Sequence, residues 1–181
     1  EPATKGRGRT LRLDEILTLM VADGLIAGSD ADTLLRSRTR PTEHPLEVIA
    51  AQNWHAATGP RIALTLDWLV EWLAGKLGIP YLHIDPLKID LTAVTQSMTN
   101  AYAERYRILP VEVTRTTLTV ATGEPFVRDW ADELEKILKV EVKLAFANPQ
   151  DIRRYLGEFY NLARSMKKAQ ETSKGEVSLA R

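Results

Sequence analysis

The feature that most constrains the fold of this chain is a change in hydrophobic spacing at about residue 79. Before it, apolar residues recur at the three- and four-residue intervals of an amphipathic helix. The first such stripe comprises Leu13, Ile16, Leu17, Met20 and Val21. After it, apolar and polar residues also alternate singly, as in a half-buried strand. This alternation is strictest at Val140, Val142, Leu144 and Phe146. The spacing therefore predicts a helical subdomain over residues 11–79 and an α+β subdomain over residues 80–161.

The two ends of the chain lack such periodicity. Residues 1–10 mix Gly, Pro and basic residues, which predicts a disordered leader. From Leu162 onward the apolar stripe fades into polar and charged residues, so residues 162–181 have the composition of a linker.

Turn and capping residues divide the helical subdomain into four helices. Their end and start signals are Asp23-Gly24, Ser29 or Asp30, His44-Pro45 and Gly78. The last of these helices is expected to run from Leu66 to Leu77.

The second subdomain is expected to be a small α/β sandwich, with a short mixed or antiparallel sheet and helices on one face. Its expected elements are a strand Tyr81–Ile84, a hairpin turning at Arg115-Thr116, a helix from Pro125, a strand over 140–146 and a helix after Asn148-Pro149. The helix from Pro125 is expected to bury Phe126, Trp130, Leu134 and Ile137.

The helix Leu66–Leu77 is apolar on two sides. Leucines and a valine form one stripe, and Trp68 and Trp72 lie roughly opposite. Such a helix is either sandwiched between two layers or displays an aromatic patch to a partner. We expect Trp68 and Trp72 to be sandwiched between the two subdomains, with a partner-binding surface as the alternative.

The sequence carries no recognisable catalytic, cofactor-binding or metal-binding motif. Basic and acidic residues both number 24, so global charge gives no reason to expect nucleic-acid binding. There is no Cys, and the three His residues show no metal-ligand spacing among themselves. Gly75-Lys76 lacks the preceding glycine of a phosphate loop and lies in a predicted helix. No apolar run is long enough to span a bilayer. The chain is therefore not expected to be an enzyme or to insert into a membrane.

Several short segments, in order, resemble the N-terminal domain of the GspE/PulE/PilB ATPases of type II secretion and type IV pilus assembly. These segments are Leu-Gly-Ile-Pro-Tyr at 77–81, Ala-Tyr-Ala-Glu-Arg-Tyr-Arg-Ile-Leu-Pro-Val at 101–111, Leu-Thr-Val-Ala-Thr-Gly-Glu-Pro at 118–125, and residues 148–155. The resemblance implies that residues 162–181 lead towards ATPase domains outside this chain.

The resemblance further implies a docking function. In that family the domain links a hexameric ATPase to the cytoplasmic part of an inner-membrane platform protein, such as GspL. The implied partners are a GspL-like cytoplasmic domain, the ATPase domains of the same chain and neighbouring subunits of the hexamer. The implied location is the cytoplasm, peripherally attached to the bacterial inner membrane through partners.

Some relatives instead bind cyclic di-GMP through two tandem motifs of the form Arg-Leu-Gly-x-x-Leu-Val-x-x-Gly. Counting back from Gly24 places Glu15 at the first Arg position, and His44 lies at the corresponding position of the second copy. The guanidinium that would clamp the dinucleotide is missing from both copies. A nucleotide-sensing domain therefore remains the alternative to a docking domain.

Overall fold

The computed structural model of the protein describes residues 8–37 and 42–179. The helices in this part of the chain are α1 (Leu13–Ala22), α2 (Gly28–Arg36), α3 (Pro45–Ala50), α4 (Leu66–Leu77), α5 (Leu91–Ser97), α6 (Asn100–Tyr106), α7 (Asp129–Leu138) and α8 (Pro149–Leu179). The strands are β1 (Ile108–Val113), β2 (Thr117–Thr122) and β3 (Glu141–Phe146), and a short 3₁₀ helix spans Pro86–Lys88. The predicted order of a helical body and an α+β body is confirmed.

The helical body forms around the apolar stripes of α1 and α4. Its buried core includes Ile16, Leu17, Met20, Leu46, Ile49, Leu69, Val70 and Leu73. Gly24 ends α1 with a φ of +71°, and a Cβ at this residue would lie 2.6 Å from the Thr58 hydroxyl oxygen. The turn after α1 therefore requires glycine for both its backbone conformation and its space.

The sheet has the order β1-β2-β3 and combines both strand orientations. β1 and β2 form the predicted antiparallel hairpin, whereas β2 and β3 are parallel. The parallel pair is possible because α7 returns the chain to the same end of the sheet. Leu118, Val120 and Val142 are buried in a core shared with helices α5–α8, whereas Glu141 and Lys143 are exposed. The prediction of a mixed sheet with helices on one face is thus confirmed.

Several finer predictions about the α+β body are wrong. Residues 81–84 form no strand, because only Tyr81 pairs with Phe146 before the chain diverges. The helix predicted from Pro125 begins at Asp129, and Ile137 is 65% exposed because it lies on the outer side of α7.

One capping prediction in the helical body is also wrong. Helix α2 begins at Gly28 with Ala27 as its N-cap, so neither Ser29 nor Asp30 caps it.

Both ends of the described chain have more regular structure than periodicity indicated. Residues 1–7 lie outside the described residues, but Gly8 donates its backbone N–H to the carbonyl of Phe126 over 3.0 Å. At the other end, α8 continues from Pro149 to Leu179, through the segment that has the composition of a linker. This stretch consists largely of good helix formers, such as Lys, Glu, Ala and Leu, and lacks Pro, so its intrinsic helix propensity favours extension of the helix.

The two bodies share buried and polar contacts. Phe146, at the end of β3, is fully buried and packs with the core of the helical body, together with Ile79 and Tyr81. Asn148 Nδ2 donates to Asp67 Oδ1 over 2.7 Å, and Arg153 pairs with Glu47 over 2.6 Å. The end of the sheet is therefore part of the junction between the two bodies.

Candidate functional site

The two tryptophans of α4 form an ordered pair on the surface of the helical body. Their ring centroids lie 6.3 Å apart, and their planes differ by 10°. Trp72 Nε1 donates to Asp23 Oδ2 over 2.9 Å, and Lys76 Nζ donates to Asp23 Oδ1 over 2.7 Å. These donors, Lys76 first, lower the pKa of Asp23 below its ordinary value. The carboxylate after α1 thus fixes the orientation of one indole ring.

The expectation that both tryptophans are sandwiched between the two bodies is wrong. Leu69, Val70 and Leu73 occupy the inner face of α4 and are almost completely buried. Trp68 and Trp72 are only half-buried and pack against the helical core. The polar contact of α4 with the α+β body is made by Asp67, through Asn148. One side of the aromatic pair therefore remains accessible.

A cleft of about 520 Å³ lies at the junction of the two bodies. Residues before α1 and at the start of α3 form one wall, and the ends of α6 and β2 with the start of α8 form the other. Three arginines line the cleft, Arg105, Arg107 and Arg153. Three glutamates, Glu43, Glu47 and Glu124, line it as well. The cleft thus offers both guanidinium donors and carboxylate acceptors.

His44 joins the two walls of this cleft, although its position before Pro45 suggested only a helix start. Its Nδ1 accepts the backbone N–H of Leu46 over 3.1 Å, so Nε2 carries the proton of the neutral ring. Nε2 donates to the carbonyl oxygen of Gly123 over 2.6 Å. Burial lowers the pKa of His44, which keeps the ring neutral. A Cβ at Gly123 would lie 3.1 Å from Pro149 Cβ, so a side chain there would crowd this contact.

Glu124 is the most strongly perturbed acid in the cleft. Burial raises its pKa to about 7, against the opposing effects of the Leu11 N–H and Arg107. The Leu11 N–H donates to Glu124 Oε2 over 2.8 Å, and His44 Nε2 lies 3.9 Å from Oε1. Glu124 therefore ties the segment before α1 to the α+β body and changes its charge near neutral pH.

A second group of polar side chains converges at the junction, outside the cleft lining. Asp67 from α4, His83 from the segment after α4, and Asp151 from α8 each offer one ligand atom, and these atoms lie within 4.8 Å of one another. Burial and the charge of Asp67 raise the pKa of Asp151, while His83 and Arg154 oppose this shift. Sequence reasoning missed this group because its members are separated by 16 and 68 positions along the chain.

A groove of about 560 Å³ separates α5 from the middle of α8. It is lined mainly by threonines, amides and the basic residues Arg164 and Lys167. The Oδ1 of Asn100 is buried beside it without a hydrogen-bond partner among the described residues. In residues 8–37 and 42–179, no helix combines the length and apolar character that crossing a bilayer requires.

Comparison with known proteins defines the class to which this architecture belongs. Residues 77–166 match the MshEN domain family. The chain is 32% identical over 154 residues to the type IV pilus assembly ATPase TfpB of Acinetobacter baylyi, covering 83% of this chain and 26% of TfpB. The chain thus spans about a quarter of that relative's length.

Two solved structures share the fold at low sequence identity. A structure of MshE with cdg gives a TM-score of 0.55 at 14% identity, covering 83% of this chain and 99% of the other. The N-terminal domain of XpsE gives a TM-score of 0.50 at 16% identity, covering 82% and 97%.

These similarities define the family of the second body and one homologue of most of the chain. Residues 77–166 belong to the MshEN domain family, and the chain is homologous to TfpB. The resemblance to the GspE/PulE/PilB N-terminal domain, which the sequence alone indicated, is confirmed.

Proposed function

We propose that this domain docks a type IV pilus or type II secretion ATPase onto the cytoplasmic part of its inner-membrane platform protein. In secretion systems the platform partner is a GspL-like cytoplasmic domain. The other partners are the ATPase domains of the same chain and neighbouring subunits of a hexamer. The domain then works in the cytoplasm and reaches the membrane through its partners. Homology to a pilus assembly ATPase supports the class of machine.

The observation that favours a docking role is the ordered pair Trp68 and Trp72. Aromatic side chains that are partly buried and fixed before binding lose little conformational entropy when a partner covers them. The stacking of the two rings and the Trp72–Asp23 hydrogen bond supply this order. We therefore assign the platform contact to this face of α4.

The test is binding of the protein to purified cytoplasmic domains of the platform proteins from its own pilus and secretion systems, measured by calorimetry. The Trp68→Ala variant should weaken binding about tenfold or more, while retaining cooperative unfolding. Leu87→Ala is the matched control, because Leu87 is 94% exposed and lies on the short 3₁₀ helix, outside α4. Unchanged binding by Trp68→Ala would rule out this face, and failure of all platform domains to bind would contradict the docking role.

A second candidate function is cyclic di-GMP binding in the junction cleft. The motif positions offer no guanidinium, because they hold Glu15 and His44. Glu15 pairs with Arg9, and His44 is committed to Gly123. However, the α+β body brings Arg105, Arg107 and Arg153 to the cleft, which sequence motifs did not indicate. The fold shared with MshE, whose solved structure contains cdg, adds to this reason.

A melting experiment separates the two functions. Cyclic di-GMP that binds only the folded protein must raise the melting temperature in a concentration-dependent way. The shift should be lost in Arg107→Ala and retained in Arg36→Ala, a control on α2 outside the cleft lining. The absence of any shift would leave docking as the proposed function.

A further inference from the structure

The side chains of Asp67, His83 and Asp151 converge at the junction of the two bodies, beside Asn148. They come from the first turn of α4, the segment that leaves α4, and the first turn of α8. Their ligand atoms lie within 4.8 Å of one another. In a tetrahedral site with bonds of about 2.1 Å, ligand atoms are about 3.4 Å apart. Because Asp67 and His83 are exposed, side-chain rotation can close this difference.

The donor set is mixed and therefore selective. One imidazole nitrogen and two carboxylate oxygens suit a first-row divalent transition metal, whereas Mg²⁺ and Ca²⁺ prefer oxygen ligands alone. Three protein ligands also match the number found in zinc sites whose fourth position is taken by water.

The carboxylates of the group form no close ion pair within the described part of the chain, although the charge of Arg154 acts on Asp151 from a greater distance. Among residues 8–37 and 42–179, neither Asp67 nor Asp151 has a Lys or Arg nitrogen within 4.0 Å. The nearby Glu71 adds to the negative charge that acts on the Tyr81 hydroxyl. A divalent cation would neutralise this group of like charges.

Asn148 gives the group part of the support that a metal site needs. Its Nδ2 donates to Asp67 Oδ1 over 2.7 Å, while its Oδ1 accepts the backbone N–H of Gln150 at the start of α8. This buried amide thus fixes one carboxylate relative to the helix that carries the other. Hydrogen bonds of this type orient metal ligands in proteins.

We propose that Asp67, His83 and Asp151 bind one zinc ion or a similar first-row divalent cation, which links the helical body to the α+β body. Asp67 belongs to the helical body, whereas His83 and Asp151 belong to the α+β body. Metal binding therefore tightens the junction to which Phe146, Asn148 and Arg153 also contribute.

The test uses the chelator-treated protein, titrated with Zn²⁺, Co²⁺ and Mg²⁺. We expect one Zn²⁺ per chain by calorimetry, a rise in melting temperature, and a visible Co²⁺ spectrum of nitrogen and oxygen coordination. Mg²⁺ should give none of these changes. His83→Gln should lower the Zn²⁺ affinity about tenfold or more.

Matched variants separate this site from adventitious binding. His55→Gln removes the other exposed histidine among the described residues and should leave Zn²⁺ affinity unchanged. Asp151→Asn should abolish the thermal shift, and the metal-free melting curves of all variants serve as the folding check. Two results would overturn the proposal. One is the absence of saturable binding below about 1 mM Zn²⁺, and the other is equal Zn²⁺ affinity of native protein and His83→Gln.

Discussion

At the scale of single residues, the two tryptophans of α4 show how partial burial divides one side chain between stability and recognition. Truncation of a fully buried large aromatic residue to Ala typically lowers the free energy of unfolding by about 3–5 kcal/mol. Trp68 and Trp72 are only half-buried, so part of each indole contacts the core and part faces outward.

We therefore predict that Trp68→Ala lowers the free energy of unfolding by about 1–2 kcal/mol, because only part of its apolar surface leaves water on folding. Urea denaturation of native and variant proteins measures this difference. Leu69→Ala is the matched control on the inner face of α4 and should cost about 2–5 kcal/mol. An equal or greater loss for Trp68→Ala would show that its ring is fully enclosed.

The pKa of Glu124 makes stability depend on pH. Its folded-state pKa of about 7 exceeds the ordinary value of 4.5, so the unfolded chain releases the proton first as pH rises. The stabilising contribution is complete below pH 4.5 and is lost as pH rises through about 7. The opposite applies to His44, whose lowered pKa favours folding as pH rises towards 6.5.

Comparison of native protein with Glu124→Gln isolates this contribution, since His44 is present in both. The variant keeps an oxygen for the Leu11 N–H but cannot ionise. We predict that it is more stable than native protein at pH 8, by at most about 3 kcal/mol, and that this advantage shrinks at pH 5. An advantage that is the same at both pH values would contradict the raised pKa.

Much at this scale could be predicted from sequence, because caps and breakers act locally. Asn148 caps α8, Gly78 ends α4 in the left-handed conformation, and His44 caps the helix that starts at Pro45. The buried contact of His44 with Gly123 could not be predicted, because it joins residues 79 positions apart.

At the scale of elements, α8 is the largest departure from expectation. Its first part carries the buried residues Ile152, Leu156, Phe159 and Tyr160. Beyond them, Leu162 and Met166 are 54% and 41% exposed, and the described side chains that follow are exposed. Apolar periodicity indicates burial, so the helix predicted from it ends where burial ends. Backbone hydrogen bonds and helix propensity continue the helix beyond that point.

Two glycines of α8 distinguish its packed and unpacked parts. A Cβ at Gly157 or Gly175 would meet no atom within 4 Å, so alanine fits at both positions. Each Gly→Ala change favours helix by about 0.5–1 kcal/mol.

We predict that Gly157→Ala raises the melting temperature, because the packed part of α8 unfolds with the whole domain. Gly175→Ala should instead slow amide hydrogen exchange near residue 175 and leave the melting temperature unchanged, because that turn can open on its own. Equal thermal shifts for the two variants would show that the far end of α8 is part of the cooperative unit.

The failure of the strand Tyr81–Ile84 has a different cause. A strand requires a partner along its length, and here only Tyr81 lies beside β3 while the 3₁₀ helix at Pro86 turns the chain away. The composition of the segment is compatible with a strand, and the missing partner is a property of the tertiary fold.

At the scale of the whole molecule, the two bodies share one buried residue that belongs by sequence to the sheet. Phe146 continues the alternation of β3 but inserts into the helical core, where it is fully buried. The division of the chain into two bodies could be predicted from the change in periodicity. The core in which Phe146 is buried could not be predicted, because alternation indicates the face of the strand on which a side chain lies and not the element that packs there.

We predict that Phe146→Ala costs about 3–5 kcal/mol in the full chain. In a chain that begins at residue 79, the same change should cost much less, because the helical body that covers the ring is missing. Urea denaturation of the long and short chains, each with Phe146 and with Ala at that position, measures the coupling free energy between the ring and the helical body. Equal costs in the long and short chains would place the ring in the core of the α+β body.

The length of α8 has a mechanical consequence. At 1.5 Å per residue, the 18 residues from 162 to 179 project about 27 Å beyond the last buried turn. A flexible segment of that length would leave the direction of its far end undefined, whereas a helix keeps a fixed direction relative to the domain. Tilting the rod by about 10° at its base sweeps its tip through about 5 Å. A small change in helix direction at the start of α8, beside Asp151 and Arg153, would therefore produce a larger displacement at its C-terminal end.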